Sequence, residues 1–339
     1  MLERDSVQEI AKESVRIAKD DWDSFETSWD FQSHPIAKKG LSRSHWNKDS
    51  VTIEECYRAW SEECDRRFEQ IKENEEELNR IFINIYGLQD ELTPEVEDKD
   101  VTVHRADLQR DIRSLLSYAV GCMFGRYSLS SFGLAYAGGD WNEGKYGQLK
   151  PDIDNIIPVS DEEYLEDDIV SRLCIFLRVA FGDGTLEENL DYIAKALGNK
   201  GNSSREIIRN YFLNDFFKDH CQIYSVTGSG KRPIYWLFDS GKQNGFKALI
   251  YLHRYNADTI GILRIDYLHR MQRIYESEIS RMQDMIDHST NAREVVQATK
   301  RREKLVKQLK ECREYDEKLA HLALSRIELD LDDGVKVNY

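Results

Sequence analysis

The sequence contains little of what rigid turns, disulfide frameworks and membrane spans require. Only five prolines occur in 339 residues, and no two of them are adjacent. The six cysteines include no C-x-x-C pair, so we predict reduced thiols in a cytoplasmic protein. No apolar run approaches the roughly 18 residues of a membrane-spanning helix, so we expect no membrane contact.

Positive charges are outnumbered, with 47 Lys and Arg against 62 Asp and Glu, and they are unevenly distributed. The net charge is −15, which opposes general binding of polyanions because the summed field repels phosphates. Residues 201–256 nevertheless hold eight Lys and Arg against four Asp and Glu, whereas residues 152–191 hold two against twelve. The chain therefore combines a local basic region with an acidic one.

The motifs of common catalytic and metal sites are incomplete. "GSGK" at 228–231 lacks the first glycine of a phosphate-binding loop, where Ser225 stands, and Arg232 follows the lysine where Ser or Thr belongs. Asp140, Glu143 and Lys145 resemble a metal-dependent nuclease set only faintly, because they crowd into one Gly-rich loop. The histidines have no metal-ligand spacing, so we predict neither a catalytic nor a metal site.

Apolar spacing predicts two helices in the first half of the chain. Residues 51–86 repeat apolar side chains at intervals of three and four, and Gly87 is placed to end that helix. A second helix is predicted over 105–125. The stretch 136–155 is rich in glycine and polar residues, which indicates a loop.

The acidic region is predicted to be helical as well. A third helical region, 161–197, begins with Ser160 followed by Glu163, in the spacing of a capping box. Gly198 is placed to end it, and Ser203 is placed to cap the next helix.

Residues 231–255, "KRPIYWLFDSGKQNGFKALIYLHRY", predict a β-hairpin with apolar residues on both faces. Most of its aromatic side chains are therefore expected in the core. What remains for a ligand is a basic rim on the hairpin and the preceding helix, which we predict to contact DNA phosphates. The candidate residues are Arg205, Arg209, Lys231, Arg232, Lys242, Lys247 and Arg254.

Residues 258–324 have a heptad-like pattern that is interrupted once, at "DHSTN". The pattern predicts an antiparallel pair of helices packed as in a coiled coil. Its seam is formed by Ala298, Leu305, Cys312 and Leu319, with Val295, Arg302, Leu309, Asp316 and Ala323 in the alternate positions. The last residues alternate around Asp333 and Gly334, which suggests a terminal β-hairpin.

These observations predict a mainly α protein with a small β component. The architecture is a helical bundle, a central β-hairpin and a C-terminal antiparallel coiled-coil-like helical hairpin. The predicted segments are an entry segment at 1–50 that follows a preceding domain, a helical region at 51–150, acidic helices with the basic hairpin at 151–256, the helical hairpin at 257–327 and a β tail at 328–339.

Several long blocks, in order, resemble one family. "LLSYAVGCMFGRYSL", "ALGNKGNSSREIIRNYFLNDFFKDHCQIY" and "RPIYWLFDSGKQNGFKALIYLHRY" are similar to the C-terminal portion of the PglX family, the BREX type 1 adenine-specific DNA methyltransferases. Single-chain type II restriction–modification methyltransferases share shorter versions of these blocks. The resemblance covers nearly the whole chain.

The resemblance implies a phage-defence protein whose full form transfers a methyl group from S-adenosylmethionine to adenine in DNA. The family's Asn/Asp-Pro-Pro-Tyr/Phe catalytic motif requires adjacent prolines, which this sequence does not contain. No catalytic or cofactor-binding residue is therefore carried over, and the chain alone is expected to be inactive. The implied partners are double-stranded DNA, the catalytic portion of the methyltransferase and other BREX subunits.

Two functions remain open at the level of sequence. The first is a DNA-positioning and scaffold portion of the methyltransferase, which the basic rim and the resemblance favour. The second is a protein-interaction module that docks other subunits of the defence complex without contacting DNA, which the net charge favours. The acidic region 152–191 would face away from DNA or meet a basic partner.

Overall fold

The computed structural model describes residues 2–47, 50–198, 201–226, 230–231 and 233–329, and the chain is mainly helical. The helices in the described residues are α1 (Leu2–Trp22), α2 (Pro35–Asn47), α3 (Ile53–Tyr86), α4 (Leu108–Phe124), α5 (Ile169–Phe181), α6 (Leu186–Leu197), α7 (Ser204–Asn214), α8 (Phe216–Ile223), α9 (Thr259–Ile262), α10 (His269–His288) and α11 (Ala292–Ser325). A π-helical segment, Leu263–Leu268, joins α9 to α10. The predicted fold class is confirmed.

Within the described residues, the small β component comprises two antiparallel sheets. The strands are β1 (Ile157–Pro158), β2 (Ser225–Val226), β3 (Gly230–Lys231), β4 (Tyr235–Asp239) and β5 (Lys247–Tyr251). The predicted hairpin is β4 and β5, with Leu237 opposite Leu249. The sequence did not indicate that β1 pairs with the other side of β5, which makes β5 the central strand of the order β1-β5-β4.

The two predicted helices of the first half are confirmed. Thr52 and Glu55 form a capping box at the start of α3, and Gly87 ends that helix in the left-handed conformation. Asp107 caps α4, and Gly125 ends it in the same way as Gly87 ends α3.

The acidic region differs from its prediction at its start. Residues 161–168 contain no helix, and α5 begins only after Asp168, whose carboxylate accepts hydrogen bonds from the amides of Val170 and Ser171. The predicted capping box at Ser160 is wrong, because the Ser160 hydroxyl donates to the carbonyl of Glu162 instead. The two helix boundaries predicted after this region are confirmed. Gly198 ends α6, and Ser203 caps the start of α7.

The C-terminal helical pair is confirmed as an antiparallel arrangement of α10 and α11. The four seam residues Ala298, Leu305, Cys312 and Leu319 are all buried. The alternate positions are more polar and less buried, with Leu309 8% exposed and Asp316 only partly buried. The terminal β-hairpin predicted around Asp333 and Gly334 lies outside the described residues.

The strand β5 lies between two hydrophobic cores. Leu249 and Tyr251 belong to a core formed with α2 to α7, whereas Ala248 and Ile250 belong to a core formed with α10 and α11. Successive side chains of a strand point to opposite faces, so one strand serves both cores. This confirms that the hairpin is mostly core, although Trp236 on β4 is 44% exposed.

A third, smaller core joins α1, α3 and the segment that follows α3. It contains Ile17, Phe68, Ile71, Val101 and Val103.

In the described part of the chain, no helix is long and apolar enough to cross a membrane. The predicted division into segments is not tested by these contacts and stays a prediction.

Candidate nucleic-acid interface

The turn of the central hairpin is anchored to α11 by one carboxylate. Glu311 accepts hydrogen bonds from the Ser240 hydroxyl at 2.8 Å, the Gln243 amide at 2.8 Å and the Gly245 amide at 3.0 Å. The Cβ of an alanine at position 245 would lie 2.6 Å from the Gln308 carbonyl oxygen, so glycine permits the close approach. The turn is therefore held in one place against the helix.

Lys242 is at the tip of this turn. Its side chain is exposed, and among the described residues we find no ion pair or hydrogen bond that involves its amine. A solvated amine on an anchored turn is free to contact a phosphate. Of the five candidate residues with a described side chain, Lys242 is the most accessible for that purpose.

Two of the candidate cations lie in the interior. Arg209 is 6% exposed, and its guanidinium pairs with Asp168 and donates to the Ser160 carbonyl at 3.3 Å. Lys247 is 9% exposed, and its amine donates to the Leu213 carbonyl at 3.0 Å. Because buried charges need partners, Arg209 serves to join α7 to the segment before α5, and Lys247 serves to join the hairpin to α7.

Arg254 lies at the opposite end of the hairpin and is also used internally. Its guanidinium donates to the Phe124 and Ile153 carbonyls, each at 3.1 Å, and its Cζ lies 4.6 Å from the centre of the Trp141 ring. Burial lowers the pKa of Arg254. The residue therefore attaches the Gly-rich loop to α4.

Of the remaining candidate cations, only Arg205 has a described side chain. The side chain of Arg205 on α7 is 43% exposed and makes two hydrogen bonds of 2.6 Å to Glu187 on α6. The backbone of Lys231 pairs with Ser225 in the two-stranded sheet, whereas its side chain lies outside what is described. Arg232 lies outside the described residues. The phosphate contacts of the predicted rim stay a prediction.

Part of the acidic region is neutralised within the chain. Asp161 lies 2.5 Å from the Lys304 amine, and Glu162 lies 2.7 Å from the Arg301 guanidinium, both on α11. The last helix therefore neutralises part of this region within the chain, which sequence analysis did not detect because the residues are about 140 positions apart. A basic partner in the defence complex stays a prediction.

A buried polar cluster near the first core was also missed. Glu26 accepts hydrogen bonds from Ser117 at 3.1 Å and from the Tyr224 hydroxyl at 3.0 Å. Burial raises the pKa of Glu26 to about 7, although nearby Arg126 opposes the rise. Only the three-dimensional proximity of residues about 90 and 200 positions apart creates this environment.

A second carboxyl cluster lies beside the three-stranded sheet. The amide of Ile156 donates to Asp152 at 3.0 Å and to Asp154 at 3.1 Å. Burial, followed by hydrogen bonding to Asp154, raises the pKa of Asp152 to about 7. Arg172 pairs with Asp152, and the Tyr267 hydroxyl donates to Asp154 at 2.8 Å, so the cluster links both large cores.

The described residues do not form an assembled metal centre. Among them, no group of three or more His, Cys, Asp and Glu side chains could hold a metal ion. The faint nuclease-like set is a surface turn in which the amine of Lys145 donates to the Ala135 carbonyl at 2.8 Å.

The chain is similar to part of two curated methyltransferases. It is 47% identical over 336 residues to "Adenine-specific methyltransferase PglX" of Lacticaseibacillus casei (strain Zhang), covering 98% of the chain and 27% of the relative. It is 36% identical over 371 aligned residues to "Adenine-specific methyltransferase BrxX" of Escherichia coli O9:H4 (strain HS), covering 100% of the chain and 29% of the relative. No family model matches the chain. The resemblance to PglX is confirmed, and the partial coverage is consistent with a C-terminal portion.

Proposed function

We propose, from its similarity to part of the PglX-type adenine-specific methyltransferases, that this chain is their DNA-positioning and scaffold portion. The observation that carries the proposal is the match of nearly the whole chain to about a quarter of two such enzymes. Methyl transfer and S-adenosylmethionine binding would belong to the longer protein. Its catalytic portion is then a partner of this chain.

The chemistry of adenine methylation supports a separate positioning portion. The target base must leave the duplex stack to reach an active site, which costs a few kcal/mol. Contacts to phosphates fix the register of a protein on the duplex while the base is extruded. A scaffold whose hairpin is packed between two cores is suited to that task, because it presents a fixed surface.

We propose that the phosphate contacts are made by four of the candidate residues, namely Lys242, Lys231, Arg232 and Arg205. Lys242 is exposed on an anchored turn, and the side chain of Arg205 is 43% exposed although it pairs with Glu187. Arg209, Lys247 and Arg254 would support this surface from within, since their polar atoms already bind carbonyls or carboxylates.

The test is binding of a fluorescent DNA duplex at two salt concentrations, about 50 and 200 mM. We expect binding that weakens with salt, and a loss of at least about tenfold in the triple variant Lys231→Ala, Lys242→Ala, Arg232→Ala. The dependence of log affinity on log salt should become shallower by about 0.9 for each phosphate contact that is lost.

A matched control removes three cations elsewhere. These are Lys99, Lys218 and Lys310, whose side chains are 72%, 73% and 79% exposed. Their replacement by alanine changes the net charge by the same amount as the first triple variant does. This control should retain most of the affinity. Equal losses in both triple variants, or no binding of the unmodified chain at 50 mM salt, would contradict the proposed DNA surface.

A second candidate function is a protein-interaction module that docks other BREX subunits without contacting DNA. The outward face of α11 favours it, because Val296, Val306 and Leu324 are 53%, 43% and 84% exposed. This candidate predicts that the chain co-purifies with another subunit, that Leu324→Ser weakens the association, and that duplex DNA is not bound at low salt.

A further inference from the structure

The C-terminal end of α3 displays large apolar side chains to solvent. Phe82, Ile85 and Tyr86 are 45%, 54% and 70% exposed, and Leu92 in the following segment is 54% exposed. The first three lie at spacings of three and four, so they share one side of the helix. We call these four residues the tip patch.

The exposure of these side chains does not result from fraying of α3, because the C-terminus of the helix is capped. The Gly87 amide donates to the Asn84 carbonyl at 3.3 Å, and the Leu88 amide donates to the Ile83 carbonyl at 3.0 Å. These two bonds are those of a Schellman motif, which satisfies the last carbonyls of a helix. The patch is therefore carried by a completed helix terminus.

The segment after the helix is also fastened in place. It runs back along α3, where the Asn79 amide group donates to the Pro94 carbonyl at 3.2 Å. The Val96 backbone amide donates to the Glu76 carboxylate at 3.2 Å. Although this segment packs on α3, it leaves the tip patch uncovered.

The part of the chain that carries the tip patch is strongly acidic. Residues 73–100 contain ten Asp and Glu against two Lys and Arg, a net charge of −8. Large apolar side chains exposed together in an acidic part of a chain are unfavourable as a merely solvated surface, and such groups mark sites of protein interaction. The surrounding charge would attract a cationic partner and repel DNA.

We propose that the tip patch docks a cationic amphipathic helix of a separate partner protein. The apolar side chains at i, i+3 and i+4 offer a ridge against which the apolar face of a second helix can pack. Lysine and arginine side chains on the flanks of that helix would reach the surrounding carboxylates while their methylene groups cover the rim. The tip patch includes none of the four residues proposed to contact DNA phosphates.

The probes are two synthetic 18-residue peptides, one with Leu and Lys at amphipathic helical spacing and the other with Glu in place of every Lys. Their binding to the full chain is measured by fluorescence anisotropy. We expect the Lys peptide to bind at least about tenfold more tightly than the Glu peptide, with a preference that shrinks as salt rises from about 0.05 to 0.3 M. Equal affinity of the two peptides, or no binding of the Lys peptide, would overturn the proposal.

The variant Phe82→Ser, Ile85→Ser should weaken binding of the Lys peptide by at least about tenfold, since apolar anchors carry most of the binding energy of such contacts. Ile153→Ser is the control, because Ile153 is 95% exposed and lies outside the patch. It should change the affinity less than twofold. Binding of duplex DNA should be unchanged in both variants, which separates this proposal from the proposed function.

Sedimentation of the chain alone tests whether a second copy of the chain covers the tip patch instead of a partner helix. If the chain dimerises and the double variant abolishes the dimer, the tip patch is covered by a second copy and the proposal is wrong. If the double variant binds the Lys peptide as tightly as the unmodified chain, the peptide binds elsewhere and the proposal is also wrong.

Discussion

Glu311 on α11 and Gly245 at the end of the hairpin turn are joined by a hydrogen bond of 3.0 Å from the glycine amide to the carboxylate. Since the same carboxylate also accepts from Ser240 and Gln243, one side chain determines where the turn lies. The C-terminal helical pair therefore positions the hairpin, and with it the exposed Lys242.

Replacing Glu311 with alanine should release the turn. We expect a loss of about 1–3 kcal/mol in the free energy of unfolding, because the Gln243 and Gly245 amides lose their acceptor. Urea denaturation measures the loss. Glu314→Ala, which removes a side chain 64% exposed on the same helix, should cost less than about 0.5 kcal/mol. Equal stability of the two variants would show that the anchor contributes little.

The free energy of unfolding should fall as the pH rises. The pKa of Glu26 is about 7 in the folded chain, above the ordinary value of 4.5, because the group is buried. Between these two pH values the folded state keeps a proton that the unfolded state releases, so stability is greatest below the unfolded pKa and declines towards pH 7. Asp152, whose pKa is also raised to about 7, contributes with the same sign.

Glu26→Gln isolates one of these groups. The amide cannot ionise, so the variant should gain on the order of 2 kcal/mol relative to the unmodified chain on going from pH 5 to pH 8. Thermal unfolding across this pH range measures the difference. Glu91→Gln, at an exposed position, should leave the pH profile unchanged. An unaltered profile for Glu26→Gln would mean that Glu26 is ionised throughout.

Two arginines on α7 allow a comparison of a buried ion pair with an exposed one. Arg209→Met leaves the carboxylate of Asp168, which is 0% exposed, without its partner and should cost about 3–5 kcal/mol in unfolding free energy. Arg205→Met breaks the exposed pair with Glu187 and should cost less than about 1 kcal/mol. Equilibrium unfolding in urea measures both costs.

The double variant Arg209→Met, Asp168→Asn tests the cause of the larger loss. Asparagine keeps the oxygen that caps α5 but carries no charge, so the double variant should recover part of the stability lost in Arg209→Met. If it is less stable than Arg209→Met, the loss comes from packing and hydrogen bonding of the arginine and not from an unpaired charge.

The sequence predicted those elements whose signals are local. The apolar stripe from Ile53 to Phe68 and the position of Gly87 predict α3, and the seven-residue spacing of Leu305 and Cys312 predicts the seam of α11. In both cases the periodicity reports which side of a helix is buried. The fold class follows from such patterns.

Features that depend on distant partners could not be predicted. Arg209 appeared to be a surface cation because its partner Asp168 lies 41 positions away in the sequence. The same carboxylate caps α5. The local sequence pattern had predicted Ser160 as the N-cap of this region instead. The strand β1 has only two residues, too few for an alternating pattern. The candidate surface thus required the tertiary structure.

The last prediction concerns the close approach of the hairpin turn to α11. It compares alanine substitutions at two glycines, one at this approach and one away from it. Gly245→Ala would place its Cβ 2.6 Å from the Gln308 carbonyl oxygen and 3.0 Å from the Cys312 sulfur, so the turn must move away from the helix. We expect a loss of about 1–3 kcal/mol in unfolding free energy. If Glu311 also fixes the turn for DNA contact, the affinity for duplex DNA should fall as well.

Gly261→Ala is the matched control for Gly245→Ala. Gly261 lies in α9, and a Cβ there meets no atom within 4 Å. Because alanine has a higher helix propensity than glycine, the control should be neutral or up to about 1 kcal/mol more stable. Urea denaturation of both variants, with duplex affinity measured in parallel, separates close packing of the turn from the general effect of removing a glycine. Stability losses of equal size at both positions would refute the role of the close approach.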